Sequence, residues 1–86
     1  MTHPLKNVIG REVQRRRVRR GDSQENLAAD CQRLGWDISR ATLSKIEAGL
    51  RCVSDAEIVL LAAGLKCAPA DLLPKDVRVA LAFVSR

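Results

Sequence analysis

The sequence predicts an all-α fold of five short helices, and three observations carry that prediction. Apolar residues make up 47% of the 86 residues while aromatics make up 2%, Trp36 and Phe83. A core of Leu, Ile, Val and Ala suits packed helices better than a β-sandwich. Serines precede apolar-periodic runs at Ser23, Ser39 and Ser54, and glycines follow such runs at Gly21, Gly35, Gly49 and Gly64, the punctuation of short helices. A chain of this length fits one domain and buries only about 60–65% of its unfolded surface, so a partner would add useful stability.

The first helix is expected from about Leu5 to Arg20, with Val8, Ile9 and Val13 inward and Gly21 as its stop. Ser23 caps the second, whose Leu27, Cys31 and Leu34 follow i, i+4, i+7, and Gly35 ends it. Trp36, Asp37 and Ile38 form a connector. Ser39 then caps a third helix from Arg40 to Ala48, closed by Gly49. Ser54-Asp55-Ala56-Glu57 reads as a capping box ahead of Ile58, Leu60, Leu61 and Ala62, with Gly64 as the stop. Pro69 sits where a first helical residue is favoured, opening a short helix to Leu73.

Pro74 breaks the pattern, dividing a domain over 5–74 from a tail over 75–86. In the tail Val77, Val79, Leu81 and Phe83 alternate as a strand would, while Val77, Leu81 and Val84 fit a helix. Periodicity leaves both open. These apolar groups are too many to leave wet, so the tail is expected to bury against the domain or a second subunit.

Charge narrows the function classes. The net charge is +5, yet Lys6 to Arg20 holds seven basic residues against Glu12, leaving that segment at +6 and the rest at −1. An excess confined to one element marks a polyanionic partner. Cys31, Cys52 and Cys67 form no C-x-x-C pair, and His3 is the lone histidine, so no metal set is expected. The cysteines read as free thiols in a reducing compartment. No nucleophile–base pairing or glycine-rich phosphate loop appears, so neither catalysis nor a cofactor is expected. No apolar run approaches the ~20 residues of a membrane span, and the protein is expected in the cytoplasm.

The third helix carries the functional argument. At about 100° per residue, Leu43, Ile46 and Leu50 form an apolar seam, while Arg40, Ala41, Ser44, Lys45 and Ala48 fall on the opposite side. A DNA major groove about 12 Å wide admits a helix whose outer side is slim. Ala41, Ser44 and Ala48 allow the approach, and Arg40 and Lys45 can reach guanine O6 and N7 or phosphates. Ala41 and the Thr42 methyl suit a thymine methyl. Gln24, at the N-terminus of the second helix, faces a backbone phosphate in this scheme. Arg11 and Arg15 of the first helix and Arg51 beyond the third complete the candidate set. Glu47 falls at the edge of the apolar seam, where a carboxylate needs a cation, and Arg17 is the candidate partner.

Ser23-Gln24-Glu25-Asn26-Leu27-Ala28, Ser39-x-x-Thr42-Leu43-Ser44-Lys45-Ile46-Glu47-x-Gly49, Val53-Ser54-Asp55 and Leu61-Ala62 together resemble the phage-repressor and Cro-like helix-turn-helix family, across about residues 8 to 73. The resemblance implies a lambda-repressor-like five-helix domain that binds double-stranded DNA, its third helix in the major groove, usually as a homodimer on a palindromic operator. It also implies that Gln24 touches phosphate and braces the first reading residue, and that Arg17 and Glu47 are a structural pair. The chain departs from the pattern between Cys31 and Ile38, about five residues longer than the tightest members, where Trp36 is expected as core filler. Ala48 stands where an asparagine often meets phosphate, and Asp22 replaces a commonly apolar residue.

A transcriptional regulator, in the repressor sense, is therefore the leading expectation. Two others compete: an antitoxin whose tail covers a toxin, and a protein-interaction module with no DNA role.

Overall fold

A computed structural model describes residues 5–84; His3 and residues 85–86 lie outside them. The order is α1 (Gly10–Arg19), α2 (Gln24–Arg33), α3 (Arg40–Glu47), α4 (Asp55–Leu65), a 3-10 turn (Pro69–Leu72) and α5 (Val77–Val84). The described residues include no strand. The short helix expected after Pro69 is the 3-10 turn, and the ambiguous tail is helical.

Each α2, α3 and α4 starts as its serine dictates. Ser23 Oγ accepts from the Asn26 amide, Ser39 Oγ from Thr42, and Ser54 Oγ from Glu57. Glu57 returns the favour by accepting from the Ser54 amide, completing the capping box. At the other ends the chain turns back on itself in the same way three times. Gly49 and Leu50 donate to the carbonyls of Ile46 and Lys45, and Gly21 and Gly35 close α1 and α2 alike. These glycines have positive φ, which a side chain resists.

Two boundaries differ most from the expectation. α1 begins at Gly10 rather than near Leu5, because the Asn7 Oδ1 accepts from the amides of both Ile9 and Gly10. The Lys6 amide is meanwhile drawn to the Gly49 carbonyl, which keeps residues before Asn7 out of the helix. Gly64 does not stop α4. It lies one residue inside, where a Cβ would meet Leu27 Cδ1 at 3.1 Å and Cys31 Sγ at 3.3 Å, so its role is close packing on α2. Lys66 takes the left-handed position instead, with φ 61°.

The core is continuous. Ile9 and Val13 of α1 and its lead-in meet Leu27, Ala28 and Cys31 of α2, Leu43 and Ile46 of α3, and Leu61, Ala62 and Leu65 of α4, with Leu72 closing one end. Leu34 and Leu50, expected inward, are half-exposed. Both lie past the last regular turn of their helix, where the 100° count no longer applies. Ile38, with Trp36 packed against the core, supplies the apolar groups after α2 instead. The tail also departs from expectation within this chain. Val77, Leu81 and Val84 are 79%, 60% and 80% exposed, so the domain does not bury them.

Candidate nucleic-acid interface

The reading side is built from α3. Leu43 and Ile46 are fully buried and hold the helix down, while Arg40, Ala41, Lys45 and Ala48 are exposed and Thr42 and Ser44 half-exposed. Thr42 Oγ1 accepts from the capping Ser39 hydroxyl, which leaves its methyl as the apolar part of that side chain. Among the described residues, the side chains of Arg40 and Lys45 make no hydrogen bond or ion pair. Two cations are thus displayed on a slim, otherwise neutral helix side.

Behind that side lies a saturated joint. Arg17 donates to Glu47 through Nε at 2.7 Å and through Nη2 at 2.9 Å, and its Nη1 donates to the Asp22 carbonyl at 2.9 Å. Both side chains are buried, Glu47 at 3% exposure. The fork-to-fork geometry uses every lone pair direction the carboxylate offers toward α1. The hydrogen bonds that Arg17 donates to Glu47, against the opposing effect of burial, push the Arg17 pKa up, so the guanidinium stays charged. Removing one partner from such a buried pair typically costs about 3–5 kcal/mol.

Gln24 joins the same cluster. Its Nε2 donates to Glu47 Oε1 at 3.0 Å. The structure therefore brings Gln24 to Glu47 rather than to Arg40. Its amide retains a second N–H and an oxygen for anything approaching the N-terminus of α2. Asp22, at the edge of the joint, has one oxygen that accepts no hydrogen bond; it sits 3.4 Å from the Arg20 Nε as an ion pair.

The remaining candidate cations are dispersed. Arg51 forks onto Glu57 with two bonds of 3.1 Å and donates to the Cys52 carbonyl. That hydrogen-bonded pairing raises the Arg51 pKa and lowers the Glu57 pKa. Arg15 pairs with Glu12 on its own helix at 2.6 Å and borders Leu72, Leu73 and Pro74, so it belongs to the tail side of the molecule. Arg11 borders the same corner and also a second hollow shared with Ala48 and Gly49 at the end of α3. The structure does not gather the basic stripe of α1 onto the outer side of α3.

Two residues that position α3 carry no local sequence signal. Asn7 Nδ2 donates to the carbonyls of Ile46 and Arg51, at 3.0 and 2.9 Å, while its oxygen caps α1. One amide thereby ties the start of α1 to the end of α3. Gly10 lets the two helices touch, since a Cβ there would lie 2.2 Å from the Ile46 carbonyl oxygen. Both contacts span more than thirty residues of sequence.

The cysteines are free, and burial pushes the Cys31 thiol pKa up to about 11. Such a thiol is inert as a nucleophile near neutral pH. Among the described residues no group of three His, Cys, Asp or Glu side chains gathers to hold a metal, and no helix is long and apolar enough to cross a membrane.

Comparison with known proteins agrees with this arrangement. The helix-turn-helix family model matches residues 13–72. The fold is similar to the crystal structure of the hypothetical transcription factor NHTF from Neisseria, with a TM-score of 0.69 and 31% identity over 90% of this chain and 84% of that one. No curated protein matches the sequence. With about two thirds of its length inside the family model and its helices in the order described, the chain belongs to the helix-turn-helix family.

Proposed function

We propose that the protein is a transcriptional regulator that binds double-stranded DNA sequence-specifically, as a homodimer on a palindromic operator. The observation that carries this reading is the outer side of α3. Arg40 and Lys45 stand exposed and without partners among the described residues, beside Ala41 and Ala48, on a helix anchored by Leu43, Ile46 and the Arg17–Glu47 pair. In the groove, Arg40 and Lys45 donate to guanine edges or phosphates, and Ala41 and Thr42 meet thymine methyls. Ser44 gives the backbone clearance. Gln24 offers its free N–H to a phosphate beside the N-terminus of α2. Arg11, near the end of α3, is the best placed of the α1 cations for a flanking phosphate; Arg15 and Arg51 contribute mainly field.

The dimer reading rests on α5. Val77, Ala80, Leu81 and Val84 make one exposed stripe that carries no charge. A helix apolar on its outer as well as its inner side belongs in a core. Nothing on the stripe attracts DNA, and nothing on it repels a second copy of itself. The helix is only ~12 Å long, so an interface of ordinary size also needs the adjoining exposed Leu73. The same stripe is what would favour the antitoxin reading, in which a different protein covers it.

Selection of bound sites from random duplexes tests the proposal. The expected result is a palindrome, bound with a log K against log salt slope of about −6 if each subunit makes three or four phosphate contacts. Binding indifferent to sequence and salt would overturn it, and a stable complex with a heterologous small protein in place of the homodimer would favour the antitoxin.

A further inference from the structure

We infer that Asn7 is a positioning residue that preorganises the last turn of α3 and so aims Lys45, though not Arg40, at the duplex, an inference that rests on the DNA reading above. Arg40 and Lys45 stand ~7.5 Å apart along an eight-residue helix, and different parts of the chain hold its two ends. The Arg40 end is held from α2. There Gln32 Nε2 donates to the Ile38 carbonyl at 2.7 Å, and Ser39, next in the chain, caps the helix. The Lys45 end is held by the segment ahead of α1. Asn7 Nδ2 donates to the Ile46 carbonyl at 3.0 Å and to the Arg51 carbonyl at 2.9 Å. Its Oδ1 accepts from the amides of Ile9 and Gly10. Two donors and two acceptor directions are all that an amide side chain has, so Asn7 is saturated. Its orientation is fixed too, since a reversed amide would set N–H groups against N–H groups.

Leu43, Ile46 and the Arg17–Glu47 pair hold α3 down through side chains on its inner side. Those contacts do not engage the main chain of the last turn, whose carbonyls lack partners within the helix. The carbonyls are met in two other ways. From the chain just beyond, the Gly49 and Leu50 amides bond the Ile46 and Lys45 carbonyls. From a distant segment, Asn7 bonds the Ile46 carbonyl and, through Arg51, holds the chain that follows. The Lys6 amide adds a bond to the Gly49 carbonyl, and Leu5 lies against Gly49. Without the Asn7 donors, the turn loses its ties to α1 at two points and frays. Lys45 lies in that turn. Arg40, at the other end, keeps its cap and is unaffected. Reordering one frayed residue on binding lowers affinity about tenfold.

The test is a double-mutant cycle on the full chain, read as affinity for the operator that the wild type selects. It is run at a temperature where far-UV circular dichroism shows each variant folded. Asn7→Ala is expected to weaken binding about tenfold. In the Lys45→Ala background the same change is expected to cost less than about twofold, because no cation is left to aim. In the Arg40→Ala background its full effect should persist. Asn7→Asp is the second variant: it keeps the oxygen that caps α1 but turns an acceptor toward the Ile46 and Arg51 carbonyls. Its added charge weakens binding equally in every background, and above that loss it should couple to Lys45 in the same way. Losses that multiply with Lys45→Ala, equal coupling to Lys45 and Arg40, or no loss at all overturn the inference. So does failure of both variants to fold, since Asn7 would then hold the whole domain and not one end of a helix. A wild type that selects no operator would instead bring down the DNA reading itself, and this inference with it.

Discussion

The joint beneath α3 and the helix α5 are opposite solutions to burial within one small chain. At the joint, two charges that are costly to desolvate are taken out of water, and they are met locally: Arg17 forks onto Glu47, Gln24 adds a third bond to the carboxylate, and the Asp22 carbonyl takes a further Arg17 donor. In α5, side chains that gain by leaving water remain in it, with Val77 and Val84 about four-fifths exposed. The Arg17–Glu47 pair is complete by itself. The apolar tail is not. Self-sufficiency at the joint keeps the reading helix in place before any ligand arrives, and the unfinished business of α5 is what a second subunit can complete.

The contrast breaks most visibly if the joint is cut. Arg17→Ala strands the Glu47 carboxylate, and urea unfolding should show a loss of about 3–5 kcal/mol. A loss under about 1 kcal/mol would mean the pair behaves as an exposed one. The buried side can also be probed by pH. Cys31 keeps its proton to about 11 in the folded chain, against 9.0 for the ordinary thiol. Between those values the unfolded state has released its proton and the folded state has not, so stability falls as pH rises. The fall should total about 2–3 kcal/mol, and Cys31→Ala should remove that slope; an unaltered slope would show that the thiol reaches water. The smallest effect is expected in the tail. Leu81→Asp should change the stability of the single chain by less than about 0.5 kcal/mol, yet convert the dimer to a monomer by sedimentation. A large loss of stability would show that α5 is already part of the core.

The same division explains what could be read from sequence. Caps act through neighbours three or four residues away, so Ser23, Ser39 and Ser54 announce their helices, and Gly21, Gly35 and Gly49 end them. The Glu47 position announces a need for a cation because helical spacing alone puts it beside the apolar seam. Asn7 and Gly10 act on residues some forty positions away, and nothing adjacent to them reveals it. Gly64 looks like a stop because glycine serves both as a terminator and as a thin place for a neighbouring helix; only the approach of Leu27 and Cys31 decides between them. Leu34 and Leu50 mislead because a wheel drawn past the end of a helix assigns directions the chain does not take. The tail resists for a different reason: its apolar residues satisfy periods of 2 and 3.6 at once, and the described residues leave its outer stripe uncovered.

The central claim is that the outer side of α3 meets base edges. The most direct measurement compares binding of wild type, Arg40→Ala and Lys45→Ala to the selected operator and to single-base variants of it. The account predicts that Arg40→Ala loses about 1–3 kcal/mol and no longer discriminates at one base pair of each half-site. Unchanged affinity and unchanged discrimination in both variants, with the fold intact, would contradict it.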